Sequence, residues 1–237
     1  FIYGFKKYGL LFHYRFNETK AFLKIGIYQV GGQVINYFNR DLDILIIGKA
    51  FGQDVLGGYS LAKQLVYRPT QILNPIFTKV AGPVLAKLQF DLVELKRNYL
   101  KFLNYVMSVN IPVYLILIIF APLIVEVFYG SGYENIVLLV RILSVYMLFR
   151  AIGNPIGSLV IATGRTDIEF YWNLISLFVL PGAIIIGSLY SIEVVAIAMT
   201  ISMLILLVPS WYFLVYKLTG ATLKEYLNSL LPKFNFK

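Results

Sequence analysis

Six stretches of this sequence, each long enough to cross a lipid bilayer, follow one another with short polar segments between them. They cover about residues 21–51, 59–88, 99–128, 136–163, 168–189 and 194–216. A hydrocarbon core of about 30 Å is crossed by some 20 apolar residues of helix. Lipid offers no partner to a free N–H or C=O, so only helices and closed barrels can span it. Runs of this length are helical, and the predicted fold class is all-α: a polytopic integral membrane bundle of about six transmembrane helices. Composition agrees. Hydrophobic residues make up 59% of the chain and charged residues 14%, against about 45–50% and 25% in soluble domains.

The first run carries an unusual polar load between Gly31 and Gly48, where Asn36, Asn39, Arg40, Asp41 and Asp43 interrupt apolar sequence. An ionisable group at membrane depth costs about 2.5–3.5 kcal/mol on insertion scales, so it turns toward protein or water. Gln29, Gly32, Gln33, Asn36, Arg40 and Asp43 recur at three- and four-residue spacing, which predicts one polar stripe, with Val34, Phe38 and Leu45 on the other side. Thirty residues at 1.5 Å each give about 45 Å, so this helix tilts or protrudes. Residues 52–58 read as a turn. In the second run Ser60, Gln64, Arg68, Gln71 and Pro75 share a face; Arg68 lies mid-span, Lys63 is expected to snorkel outward, and Pro69 and Pro75 predict kinks. Pro112 and Pro122 fall inside the third run. In the fourth, Arg150, Asn154 and Ser158 share a face while Arg141 points to the outer interface. Pro181-Gly182 predicts a break in the fifth. The domain reading is a cytoplasmic-face connector over 1–20, a six-helix lobe over 21–217 and an interfacial amphipathic tail over 218–237.

Thirteen lysines and arginines collect on one side of such a bundle, whereas the other side has Arg40 and Lys49. That asymmetry puts both termini in the cytoplasm. A net charge of +9 then suits anionic lipid rather than nucleic acid. Cysteine is absent and the single histidine, His13, stands outside the apolar runs. No catalytic group, cofactor or metal is therefore expected. A membrane polymerase or acyltransferase would need paired acids, a Ser/His pair or a metal cluster. The chain opens on Phe1 rather than Met, and a piece of a longer protein is expected.

Four stretches, INYFNRDLDILIIGKAFGQDVLGGYSLA, the segment from Pro69 to Pro75, FYGSGYEN and IATGRTDIEFYWNL, resemble in order and spacing the bacterial polysaccharide flippases. These handle O-antigen, colanic-acid and teichuronic-acid type repeat units, within the multidrug/oligosaccharidyl-lipid/polysaccharide exporter superfamily. The resemblance runs from about Phe12 to the LLPKF tail. It implies one lobe, the C-terminal half, of a two-lobe transporter; RFNETKAFLKIGIYQVGG resembles the connector into that lobe, and the N-terminal lobe is missing. It also implies a non-enzymatic function in the bacterial plasma (inner) membrane: alternating-access transport of undecaprenyl-pyrophosphate-linked oligosaccharide for polysaccharide and O-antigen biosynthesis. Implied partners are the lipid-linked oligosaccharide, membrane lipids, the missing lobe and the polysaccharide polymerase machinery. Arg40, Arg68 and Arg150 become the candidates for phosphate, because a guanidinium fork matches phosphate oxygens. Asn36, Gln64, Gln71 and Asn154 become candidates for sugar hydroxyls. Asp43 is expected to pair with Arg40, or else to couple transport to a cation gradient. A plain structural use stands beside these: Asn36, Asn104 and Asn173 can bond a neighbouring helix for about 0.6 kcal/mol. The alternatives are a multidrug or small-molecule cation-coupled antiporter, or an inactive half-length membrane protein. An antiporter for cations should show carboxylates mid-span; here the mid-span ionisable groups are arginines, which favours an anionic substrate.

Overall fold

The computed structural model describes residues 16–232. Most of the expected connector, with His13, and the last five residues of the tail lie outside the described residues.

The longest element, α1 (Phe16–Lys87), is a helical hairpin. Its two arms, 16–51 and 53–87, meet at Gly52, whose φ of 81° and ψ of −177° belong to a region open essentially to glycine alone. The bend is therefore one residue wide, not the seven-residue turn expected over 52–58. The arms run antiparallel, with Leu56 against Gly48 and Tyr59 against Asp43. At 1.5 Å per residue each arm is about 50 Å long, more than the hydrocarbon core requires. Pro69, Pro75 and Pro83 sit inside the second arm without ending it.

The chain continues through α2 (Leu92–Ile119), α3 (Ala121–Tyr129), a 3₁₀ turn (Glu134–Ile136), α4 (Val137–Ala151), α5 (Asn154–Ala162), α6 (Thr166–Ser188) and α7 (Ile192–Ser210). A π-helical turn (Trp211–Tyr216), α8 (Lys217–Thr219) and α9 (Leu223–Leu230) follow. No strand occurs among the described residues, and this is an all-α polytopic membrane protein. Among the described residues four helical stretches are long and apolar enough to cross a bilayer: Leu92–Ile119, Glu134–Ala162, Thr166–Ser188 and Ile192–Thr219. The arms of α1 exceed them in length, but their polar side chains keep them below the same standard of composition.

Prolines act differently from expectation in three places. The third and fourth runs are each divided, at Phe120 and at Ile152–Gly153, and Pro122 and Pro155 open the helices that follow. Proline suits a first turn because its missing N–H has no acceptor there. Pro181, expected to break the fifth run, lies within continuous α6. Neighbouring helices in a membrane commonly absorb such an interruption.

Two packed clusters occupy opposite ends of the bundle. One, near the α1 bend, includes Ile47, Tyr59, Val66, Tyr114, Val140 and Met199. The other joins the end of α1 to α9 through Leu85, Tyr99, Leu103, Leu159, Val215 and Tyr226. Lipid tails are as apolar as leucine, so what holds such helices is close packing and interhelical hydrogen bonding. Glycine allows that approach: Gly31 and Gly32 face Phe170 and Asn173, and a Cβ on Gly187 would lie 2.7 Å from Val195 Cα. The tail helix α9 opens on a capping box, with Thr222 and Glu225 exchanging hydrogen bonds. It docks on α2 through Lys96–Glu225 at 2.9 Å and through Asn104, whose amide donates to the carbonyls of Ser229 and Leu231.

Two tests follow. Gly52→Ala should destabilise the purified chain by about 1–3 kcal/mol, whereas Gly57→Ala, in helix with open space around it, should leave the melting temperature unchanged or raised. The hydrogen bonds from Lys96 and Thr222 hold the Glu225 carboxyl down at about 2, below its usual 4.5. Their contribution is complete above about pH 4.5 and is lost as pH falls toward 2. Amide exchange in α9 should accelerate over that window in the native chain, and the window should vanish in Glu225→Gln.

Candidate functional site

The polar residues of α1 fall into an inner and an outer set. The inner set centres on Asp43 and Lys63, only 2% and 8% exposed. Lys63 Nζ donates to Asp43 Oδ1 at 2.8 Å and to the Arg40 carbonyl at 2.6 Å, and it reaches Asp41 at 3.5 Å. The Tyr59 hydroxyl donates to the other Asp43 oxygen. The expectation that Asp43 pairs with Arg40 is corrected: Arg40, half-exposed, pairs with Asp41 at 2.9 Å. Lys63 does not snorkel, because the hairpin sets it one helix away from a buried carboxylate whose charge nothing else neutralises.

Lys63 also leads to the second feature. Its ammonium lies 5.5 Å from the centre of the Tyr67 ring, and the Arg150 guanidinium lies 5.9 Å from the centre of the same ring. Arg150 Nη1 donates to the Tyr146 hydroxyl at 2.9 Å. From there Arg150 borders a partly open cavity of about 230 Å³ between α1, α4, α5, α6 and α7, with Asn36, Asn154, Glu169 and Trp172 also in its wall. Of the expected substrate residues, then, Asn36, Arg150 and Asn154 meet at one cavity. Ser158, their expected companion, is buried in packing.

The outer set is Arg40, Gln64, Arg68 and Gln71, all exposed on the outside of the hairpin. Arg68 has no hydrogen bond or ion pair among the described residues. These four share no cavity with Arg150. Arg141 is also exposed and donates to the Ile118 carbonyl at 3.2 Å. Sequence reasoning noted Asn39 as polar without a role and missed Glu169 and Trp172, all of which line the cavity; Glu169 stands one helical turn before Asn173, a spacing that could have drawn attention to it. Among the described residues no group of three or more His, Asp or Glu could hold a metal.

Fold and site together define a membrane-embedded helical lobe with a polar, arginine-bearing interior and a second polar stripe on its surface. The family described as polysaccharide biosynthesis protein matches residues 1–138, and the chain belongs to that family, as its resemblance to the polysaccharide flippases implied. It is 32% identical to the amylovoran biosynthesis protein AmsL of Erwinia amylovora over 94% of this chain and 58% of that protein. Identity to the lipopolysaccharide biosynthesis protein WzxC of Escherichia coli is 31%, over 98% of this chain and 47% of the other. For the teichuronic acid biosynthesis protein TuaB of Bacillus subtilis the values are 28%, 97% and 45%. The chain thus spans about half the length of the curated relatives it matches. No solved structure matches it.

The ion pair makes a direct prediction. Lys63→Met leaves a buried carboxylate without its partner and should cost about 3–5 kcal/mol, while combining it with Asp43→Asn should recover most of the loss. A double-mutant cycle of melting temperatures checks this; purely additive losses would contradict the pairing.

Proposed function

We propose that this chain is the C-terminal lobe of a polysaccharide flippase, which moves an undecaprenyl-pyrophosphate-linked oligosaccharide across the bacterial plasma membrane by alternating access. The observation that carries the reading is the placement of its mid-span cations. Arg68 is exposed about midway along the second arm with Gln64 and Gln71 beside it, and Arg150 borders the cavity. Guanidinium groups retain their charge and form two parallel bonds to phosphate, so both surfaces suit an anionic, hydroxyl-rich ligand. The names of the relatives, which cover amylovoran, lipopolysaccharide and teichuronic acid biosynthesis, support a polysaccharide precursor as that ligand.

In this reading residues 21–217 act as one six-helix lobe, with the 1–20 connector and the 218–237 tail on the cytoplasmic face. The outer stripe faces the N-terminal lobe across the transport path. Arg40, Arg68 and Arg150 engage the pyrophosphate as the lobes rock, and Asn36, Gln64, Gln71 and Asn154 engage sugar hydroxyls. Asp43, satisfied by Lys63, serves the architecture of the hairpin rather than ion coupling. The protein is a transporter and not an enzyme.

The test is complementation of a flippase-null strain, scored by surface polysaccharide, with this chain fused behind a matching first lobe. Losing a charge-assisted phosphate contact of about 1.5–3 kcal/mol should cut export about 10- to 100-fold in Arg68→Ala and in Arg150→Ala, with membrane insertion unchanged. Lysine at either position should restore part of it. Normal surface polysaccharide in both alanine variants would overturn the cationic path.

A further inference from the structure

The cavity beside Arg150 has a wall that phosphate binding does not explain. On its α1–α6 side, beside the free amide of Asn36 and the indole of Trp172, stand three acceptors. Asn39 Nδ2 donates to the Asn173 carbonyl at 3.0 Å, and Asn173 Nδ2 donates to the Gly32 carbonyl at 3.3 Å. A carbonyl can only accept, so these bonds fix which end of each amide is tied down and leave the amide oxygens free. Asn39 Oδ1 is buried and without a partner. Leaving such an acceptor unsatisfied costs about 1–3 kcal/mol, and a native structure that keeps one calls for an explanation. Glu169, one turn before Asn173 on α6, adds a half-buried carboxylate with no hydrogen bond or ion pair among the described residues. Arg150 is the charged donor in the same cavity, and Trp172 and Leu206 contribute apolar wall.

Two ligand chemistries present donors to such a surface: a bare cation and a hydroxylated ring. The guanidinium in the wall decides between them. It repels a cation in the low-dielectric interior, whereas one carboxylate and one guanidinium together leave the wall near neutral. A neutral ring can give hydroxyl hydrogens to Glu169 and to the oxygens of Asn39 and Asn173. It can accept from Arg150 and lay its C–H face on the apolar side. At about 230 Å³ the space is the size of one ring, and its open side leaves room for a chain to continue outward.

We infer that this cavity is a seat for a single pyranose ring, with Asn39, Glu169 and Asn173 among its acceptors and Arg150 among its donors. Its biological source, one sugar of the lipid-linked oligosaccharide, rests on the transport reading above; binding of the ring does not.

The experiment uses the full chain in a zwitterionic detergent without a sugar headgroup, carrying Trp211→Phe so that Trp172 is the sole tryptophan. Emission and melting temperature are followed during titration with glucose, galactose and N-acetylglucosamine, and with sodium chloride against choline chloride. At least one sugar should shift the emission saturably, with half-saturation on the order of millimolar, and should raise the melting temperature. Glu169→Gln and Asn39→Leu should each weaken that response about tenfold, and Glu193→Gln should leave it unchanged. If a cavity variant fails to fold, the sugar-dependent rise in melting temperature of the unsubstituted wall still decides. A response to sodium and to no sugar would make this a cation site, and no saturable response at all would make it a water-filled cavity; either overturns the inference. Loss of export in the arginine variants without sugar binding removes the sugar seat alone. Sugar binding with normal export in those variants removes the phosphate reading alone.

Discussion

The rest of the lobe depends on the contact between Lys63 and Asp43. Neither charge can be left alone at that depth: an unpaired ion in a medium of low dielectric costs several kcal/mol even after relaxation. Their pairing is possible only if the two arms of α1 lie antiparallel and in register. The Arg40 carbonyl and the Tyr59 hydroxyl complete the shell, so the network specifies the register as well as satisfying the charges. Gly52 supplies the bend that brings the arms together, and the ion pair determines which residues then face one another. Hydrophobic burial cannot do this in lipid, where an apolar surface gains little by leaving the bilayer for a helix.

From the hairpin the same logic extends across the bundle. Tyr67 lies between Lys63 and Arg150, and the Tyr146 hydroxyl holds the arginine at the cavity. Asn39 and Asn173 then join the first arm to α6 through backbone carbonyls, and Thr166 does the same at Ile25. The first arm and α6 run parallel along this seam, with glycines at 31 and 32 bringing them close. Apolar packing is concentrated toward the two ends, and the cavity lies where polar side chains interrupt it. Polarity in this lobe is therefore continuous along one path, from Asp43 through Lys63 and Tyr67 to Arg150 and on toward Glu169.

The long apolar runs made the class of fold readable from the sequence, because no other structure satisfies the backbone of such segments in lipid. Helical spacing also found the outer stripe correctly, since Gln64, Arg68 and Gln71 depend only on their own helix. What depended on two helices was not readable. Lys63 looked like a residue free to snorkel because its partner lies twenty positions earlier, across the bend. The acceptor wall escaped notice for the same reason: Asn39 belongs to α1 and Glu169 to α6, and no periodicity links them. Proline was ambiguous in kind. Pro122 and Pro155 start helices while Pro181 lies within one, a distinction set by the chain around each residue rather than by proline itself.

The outer stripe carries a consequence for how this lobe is housed. Arg40 has Asp41 beside it, and an exposed pair of that sort can sit near an interface. Arg68 has no such partner, and Gln64 and Gln71 on its face add amides with nothing to bond. Facing lipid, an arginine at mid-span would cost about 2.5–3.5 kcal/mol on insertion scales, or would have to draw water inward. Ile72, Ile76 and Val80 follow Arg68 along the same arm at four-residue spacing and are exposed and apolar. In the proposed reading a second lobe across a transport path would cover Arg68 with a polar, hydrated space, and that cover would account for an arginine on the outside of a chain spanning about half the length of its relatives.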